Sequence, residues 1–308
     1  MTLLDRAIVR ALPVVPKPIV QLISSRYIAG RGLADACRVV ARLNERGKLA
    51  TVDVLGEEIR NAEETEAIRD AYLDALAAID REELDSNVSV KPTALGLQLD
   101  YALCREHLRT VVGDAAGRSN FVRIDMEDSS CTDDTVRLYR ELRREGHENT
   151  GIVLQAYLRR TLDDIAALAD LRPNVRLCKG IYVEPPEVAY QGYEEVRESF
   201  VLALQALLDA GCHVGIATHD EYLIESAERL VAERELSPEQ YEFQMLLGVR
   251  EGRASQLAAD GHRLRVYVPF GEHWYAYSLR RLQENPKVAG YIAADTIGRV
   301  LSLGRDGR

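Results

Sequence analysis

Apolar residues along this 308-residue chain fall into short runs separated by turns and by stretches of helical period. The runs are Leu49–Leu55 (LATVDVL), Asn87–Lys91 (NVSVK), Asn120–Met126 (NFVRIDM) and Gly151–Ala156 (GIVLQA). They continue with Val175–Gly180 (VRLCKG), His213–Thr218 (HVGIAT), Tyr241–Leu247 (YEFQMLL) and Leu264–Pro269 (LRVYVP), eight in all. Short apolar runs bounded by turns read as buried strands. Between them the period changes to that of helices. Glu57–Asp80 brings Ile59, Ile68, Tyr72, Leu76 and Ile79 close to one stripe, and Asp133–Arg144 groups Val136, Tyr139 and Leu142. Thr161–Leu171 opens on a T-x-x-D cap, and Asp220–Glu235 carries Leu223, Ile224, Ala227, Leu230 and Val231. Ser237-Pro-Glu-Gln240 has the composition of a further cap.

Eight strand–helix units predict parallel strands joined by right-handed crossovers, and eight such strands can close on themselves. The competing arrangement is an open, doubly wound sheet, which usually announces a nucleotide site by G-x-G-x-x-G after a strand. Neither that motif nor G-x-x-x-x-G-K-[ST] occurs here. The expected fold is therefore an α/β class (βα)8 TIM barrel in a single domain. Residues 1–45 form an N-terminal helical segment and 46–308 the barrel.

Composition narrows the function. A formal charge of −10 argues against nucleic acid, which rewards clustered Lys and Arg. The five cysteines form no C-x-x-C pair, and the six histidines show no H-E-x-x-H spacing. Neither a disulfide framework nor a metal site is expected, and a reducing cytoplasm fits. Arg6, Arg10, Lys17, Pro13, Pro16 and Pro18 break the apolar N-terminus. It predicts neither a membrane span nor a signal peptide, while leaving room for peripheral membrane contact.

In a barrel of this kind the chemistry sits at the C-terminal ends of the strands. Lys91, the segment Asp125-Met126-Glu127-Asp128, Gln155, Thr218 and His219 stand there, with Arg176 and Lys179 along the fifth run. Gln244 and Leu246 lie on the seventh, and Tyr267 on the eighth. Each alone reads as a structural ion pair or a solvated rim residue; together they point toward one mouth. After the eighth run comes Tyr277-Ser-Leu-Arg280-Arg281-Leu-Gln-Glu284-Asn285. On a helix, Tyr277, Arg280, Arg281 and Glu284 share one side. Paired guanidiniums are rigid donor forks suited to a carboxylate. A surface helix laced with ion pairs is the plainer reading of the same segment.

These segments resemble the flavin-dependent proline dehydrogenase family, both stand-alone bacterial enzymes and the dehydrogenase domain of bifunctional proline-utilisation proteins. The resemblance rests on Lys91-Pro-Thr-Ala-Leu95, Arg123-Ile-Asp125-Met-Glu127, Gln155-Ala-Tyr157 and Arg176-Leu-Cys-Lys179-Gly180-Ile-Tyr182. It continues through Ala217-Thr218-His219, Glu242-Phe-Gln244-Met-Leu246, Tyr267-Val-Pro269 and Tyr277–Asn285, all in the family's order. It implies a distorted barrel whose last helix lies over the mouth. It further implies FAD-dependent oxidation of L-proline to 1-pyrroline-5-carboxylate, the first step of proline degradation to glutamate, with electrons passed to a quinone.

Carried over residue by residue, Lys91, Arg280 and Arg281 resemble the cage for the proline carboxylate. Asp125 resembles the acidic residue beside the substrate. Tyr267, Tyr277 and Leu246 resemble walls around the ring, and a tyrosine at 267 disfavours 4-hydroxyproline. Arg176 resembles the arginine at flavin N5. Met126, Gln155, Lys179, Gly180, Ile181, Thr218, His219 and Glu284 resemble further FAD contacts. The chain departs from relatives at Val183, where the bifunctional enzymes have an aromatic residue, and at Asp220, where some have asparagine. Its length leaves no room for an aldehyde-dehydrogenase-like module, so the expectation is a stand-alone enzyme with a pyrroline-5-carboxylate dehydrogenase as partner. The family's quinone chemistry implies a cytoplasmic protein that docks at the periphery of the inner membrane.

Two other readings of the residues stay open at this level. Lys91 or Lys179 could form a Schiff base with a carbonyl substrate, or the barrel could bind an amino acid without transforming it. The arginine pair offers a first test. Arg280→Ala or Arg281→Ala is expected to raise KM for proline severely while the cofactor stays bound; unaltered proline kinetics in both variants contradicts the carboxylate clamp.

Overall fold

A computed structural model describes residues 26–56, 59–272, 274, 275 and 278. Within them, eight parallel strands close into a barrel in sequence order, β8 pairing back onto β1. The strands are β1 (Leu49–Val54), β2 (Ser86–Val90), β3 (Val122–Ile124), β4 (Thr150–Gln155), β5 (Asn174–Cys178), β6 (His213–Ala217), β7 (Tyr241–Leu246) and β8 (Leu264–Phe270). Every apolar run expected to be a strand is one. The third is the most shortened, because the chain leaves the sheet at Asp125 to form the mouth.

Eight helices are described: α1 (Leu33–Asn44), α2 (Ala62–Arg81), α3 (Tyr101–Gly117), α4 (Thr132–Arg144), α5 (Thr161–Leu168), α6 (Tyr193–Asp209), α7 (Glu221–Glu233) and α8 (Glu251–Ala259). Asn61 caps α2 by accepting from the Glu64 N–H at 2.9 Å, and Asp100 caps α3 from the Leu103 N–H at 2.9 Å. Four of the eight, α1, α3, α6 and α8, fall outside the stretches singled out by periodicity. In α3 the buried face includes Cys104, His107 and Ala115, which blur an apolar stripe.

Two cap signatures resolve differently from expectation. Thr161 is the first residue inside α5 rather than its cap; its hydroxyl donates to the Gln155 carbonyl at 2.6 Å, and Asp164 pairs with Arg160 instead. Ser237-Pro-Glu-Gln240 forms half of a capping box, Ser237 N–H donating to Gln240 Oε1 at 2.9 Å, while the Gln240 N–H donates to the Ser237 backbone carbonyl at 3.0 Å as in a turn. No helix follows, because the chain enters β7 at Tyr241.

Side chains alternate across a strand, and here the two faces differ sharply. Val88, Val90, Ile124, Ile152, Leu177, Val214 and Ile216 face the helices and join one apolar core with residues such as Leu108, Leu138, Phe200 and Leu230. The lumen is polar instead. Asp53, Ser89, Arg123, Arg176, Glu242 and Gln244 are all buried there. Their mutual hydrogen bonds account for the burial: Ser89 and Arg176 meet Asp125, and Gln244 meets Arg176 and Glu242.

At the lower end of the lumen Arg123 donates to the Asn174 carbonyl at 2.6 Å and the Ile152 carbonyl at 3.1 Å, and burial lowers its pKa to about 9. His213 lies nearby with its Nδ1 buried and unpartnered among the described residues. Burial, aided by the Arg123 charge, pushes its imidazole down to about 4 from an ordinary 6.5. The unfolded chain therefore takes up this proton more readily than the folded one. The stability contributed by neutral His213 is present above pH 6.5 and lost as pH falls through 4. The melting temperature is expected to fall as pH is lowered across this window, and His213→Asn to flatten that part of the profile. Calorimetry at stepped pH checks this; an equally steep decline in the variant contradicts it.

Candidate active site

The C-terminal ends of the strands surround a cavity of about 810 Å³. Its floor is the upper layer of the lumen, and its rim is built from the segments that follow β3, β5, β6 and β7. The loop after β2 is pinned by Glu127, whose carboxylate accepts from the Thr93 N–H at 2.9 Å and the Thr93 hydroxyl at 2.5 Å. That pin, with Ala94 and Leu95 buried beneath, aims Lys91 at the cavity.

Asp125 is the centre of the floor. Its Oδ1 accepts from Ser89 Oγ at 2.5 Å and Arg176 Nη1 at 2.8 Å, and its Oδ2 from the Tyr267 hydroxyl at 3.1 Å. Lys91 Nζ lies 3.9 Å from the same carboxylate and donates to the Tyr267 hydroxyl at 3.3 Å. The principal partner of Lys91 is Asp53, at 2.7 Å to each oxygen. Asp53 has no solvent exposure and also accepts from the Tyr72 hydroxyl at 3.3 Å. Burial alone would push the Lys91 ammonium down, but Asp53, Asp125 and Glu127 outweigh it and its pKa rises. Lys91 thus keeps its proton, which suits an anion's partner and disfavours an amine nucleophile of the Schiff-base kind.

Arg176 reaches across the lumen from β5. Its Nε donates to Gln244 Oε1 at 2.5 Å, and its Nη1 donates to both Ser89 Oγ, at 3.0 Å, and Asp125. The guanidinium also lies 5.2 Å from the centre of the Tyr267 ring, within cation–π range.

The other wall has a different chemistry. Gln155 donates from Nε2 to the Met126 carbonyl at 3.3 Å, while its Oε1 is buried with no partner among the described residues. A buried acceptor without a donor is costly, and an N–H group arriving in the cavity would satisfy it. Gly180 has φ +102°, and a Cβ there would lie 2.0 Å from the Tyr157 ring. Only glycine lets the backbone run this close to that ring at a positive φ. The Leu246 N–H donates to His219 Nε2 at 3.0 Å, which places the imidazole proton on Nδ1.

At the rim, Asp220 accepts from Lys179 Nζ at 3.1 Å, Arg197 Nη2 at 2.6 Å and the Tyr193 hydroxyl at 2.8 Å. Burial would raise its pKa, but these donors hold it well below the usual carboxylate range. The departure at Asp220 therefore has a local reason: a carboxylate is matched to two cations. Val183, the other departure, is fully exposed.

Of the residues given a substrate or cofactor role from the sequence, twelve line this cavity: Lys91, Asp125, Met126, Gln155, Arg176, Lys179, Gly180, Ile181, Thr218, His219, Leu246 and Tyr267. Tyr277, Arg280, Arg281 and Glu284 lie outside the described residues, as does the N-terminal segment up to residue 25. Sequence reasoning missed Asp53, Ser89, Tyr27, Tyr193 and Arg197. Asp53 carried a readable signal: it is a lone acid inside LATVDVL, two residues after Thr51 and so on the same face. Tyr193 and Arg197 sit on α6, which periodicity did not single out. Among the described residues, no group of three or more His, Cys, Asp or Glu side chains is placed to hold a metal, and no helix is long and apolar enough to cross a membrane.

Comparison with known proteins converges on one family. A family model described as "Proline dehydrogenase" matches residues 36–294. Proline dehydrogenase 1 of Bacillus subtilis subsp. natto is 39% identical over 267 residues, covering 87% of this chain and 88% of that protein. The proline dehydrogenase of Deinococcus radiodurans is 36% identical over 274 residues, 88% of each chain. Among solved structures, proline utilization A from Bdellovibrio bacteriovorus, inactivated by N-propargylglycine, superposes with a TM-score of 0.81 at 25% identity. That match covers 86% of this chain and 33% of the longer one. With its barrel and the greater part of its length matching, the chain belongs to the proline dehydrogenase family.

Proposed function

We propose that this chain oxidises L-proline to 1-pyrroline-5-carboxylate, with FAD held in the cavity and a quinone as the final electron acceptor. The observation that carries the reading is the interlocked cluster of Asp125, Arg176, Lys91 and Tyr267 on the cavity floor, in a chain of this family. Residues 1–45 and the barrel act as one domain in this reading.

The wall opposite that cluster fits a flavin. The isoalloxazine ring offers one strong N–H donor, and Gln155 Oε1 is a buried acceptor that lacks one. Gly180 lets the segment after β5 pack directly on the Tyr157 ring, which sets the position of the neighbouring Lys179 and Ile181 at the cavity wall. Met126, Gln155, Arg176, Lys179, Gly180, Ile181, Thr218, His219 and Glu284 would hold the group. When bound, it supplies the two-electron acceptor that no side chain can provide.

The chain's own groups handle the substrate. Oxidation removes a hydride from Cδ and a proton from the ring nitrogen, and a C=N bond forms between those atoms. Lys91, with Arg280 and Arg281, takes the carboxylate at the end of the ring remote from Cδ. A small rigid ring fixed at its carboxylate has few ways to turn, so the reacting carbon is oriented by the clamp. Tyr267, Tyr277 and Leu246 wall the ring and exclude water. Neighbouring positive charge from Lys91 and the arginines lowers the pKa of the amine and favours loss of its proton. Asp125 keeps Arg176 and Tyr267 in place around the substrate. Arg176 puts positive charge where electrons arrive.

The product is a reactive cyclic imine, which implies a pyrroline-5-carboxylate dehydrogenase as the consuming partner. Transfer to a quinone implies peripheral contact with the inner membrane by a cytoplasmic protein.

Purified protein is expected to show a flavin band in the visible spectrum that bleaches on anaerobic addition of L-proline. A colourless preparation that takes up no FAD, or a band indifferent to proline, contradicts the proposal. In the same assay, Asp125→Ala is expected to lower kcat/KM by about 100-fold or more, because Arg176 and Tyr267 lose their shared anchor. Near wild-type turnover would remove Asp125 from the active site.

A further inference from the structure

Gln244, on β7, bridges two opposite charges inside the lumen. Its Oε1 accepts from Arg176 Nε at 2.5 Å, and its Nε2 donates to Glu242 Oε1 at 2.6 Å. The same Glu242 oxygen accepts from Arg265 Nε at 2.7 Å, and Arg265 Nη1 donates to the Ala50 carbonyl at 2.7 Å. A single line of hydrogen bonds therefore runs from the lower lumen up to Arg176 and on to Asp125.

The polarity of that line is fixed. Burial would raise the Glu242 carboxyl, but the Arg265 charge and hydrogen bond outweigh it and its pKa falls to about 2. An ionised carboxylate only accepts, and a guanidinium only donates. A glutamine amide between them has one orientation: its NH2 toward Glu242 and its oxygen toward Arg176. No other neutral side chain of that length accepts from a cation at one end of its amide and donates to an anion at the other. A glutamate at this position would set two carboxylates against each other in a buried site.

Space for the amide comes from the neighbouring strand. Gly215, on β6, stands beside Glu242 in register, and a Cβ on it would lie 2.3 Å from Gln244 Nε2. Gly215 is not in the left-handed region, so its requirement is for room rather than for backbone freedom.

We propose that Gln244 is a positioning residue for proline oxidation: it fixes the rotation of the Arg176 guanidinium, with Glu242 setting the direction of the amide and Gly215 making room for it. This inference rests on the proline-oxidising reading of the site. By holding Nε, Gln244 directs Nη1 to Asp125 and leaves the remaining edge of the guanidinium for the cofactor side. Gln244 acts through Arg176, so its loss should affect the chemical step more than proline capture at the carboxylate.

The test uses full-length, FAD-loaded enzyme: wild type, Gln244→Met, and Gly215→Ala as a milder variant that keeps every polar group. Flavin content, KM and kcat for L-proline and the midpoint potential of the bound flavin are measured together. Gln244→Met is expected to keep its flavin, hold KM within about threefold and lose about 30-fold or more in kcat. Its potential should move to more negative values, since a cation no longer faces the reduced ring. Gly215→Ala should move kcat and potential the same way by less, and it decides the matter if Gln244→Met does not fold. Wild-type kcat together with an unchanged potential in the folded variant overturns the assignment of Gln244. A wild type whose flavin ignores L-proline overturns the underlying reading, and this inference with it.

Discussion

Charge pairing inside a closed barrel is the constraint on which the rest of this molecule depends. Barrel lumens are ordinarily filled by layers of branched aliphatic side chains. Here Asp53, Arg123, Arg176 and Glu242 are buried in that space, with Lys91, Asp125 and Arg265 nearly so. A charge removed from water persists only with a partner and satisfied hydrogen bonds. Each acid accordingly has its cation: Asp53 with Lys91, Asp125 with Arg176, Glu242 with Arg265. Arg123, held by carbonyls rather than a carboxylate, is the cation left over.

That pairing links the stability of the barrel to the shape of its site. The apolar core lies outside the sheet, between strands and helices, and supplies the hydrophobic stabilisation. The lumen contributes orientation instead. Ser89, Arg176 and Tyr267 come from three different strands and meet on one carboxylate, so none can rotate without breaking a bond to Asp125. Ser89, Arg176 and Tyr267 are borne on strands, and side chains carried by rigid elements keep a fixed geometry.

The strands were readable in the sequence because each is a short apolar run buried on its outer face, and their number and spacing were enough to predict closure. Helices were less so. Those with a clean stripe, such as α4 and α7, stood out, whereas Cys104, His107 and Ala115 on the buried face of α3 gave no such pattern. In the site, residues at strand ends could be found by position. What could not be found is partnership: that Asp53 clamps Lys91, that Glu127 pins Thr93, or that Asp220 gathers Lys179, Arg197 and Tyr193. These pairs are separated by tens of residues, and pattern reading sees only neighbours along the chain. The Ser237 motif illustrates the converse, since the bond from Ser237 N–H to the Gln240 side chain forms while the sheet takes the chain elsewhere.

The central claim is that the polar floor of the barrel receives the carboxylate and ring of a five-membered cyclic amino acid. A crystal structure with cyclopentanecarboxylate, which lacks the nitrogen and cannot be oxidised, tests it most directly. The account predicts its carboxylate beside Lys91 and its ring packed against Tyr267 and Leu246. Density for the compound elsewhere on the protein, with this floor left to water in crystals soaked to saturation, would contradict it.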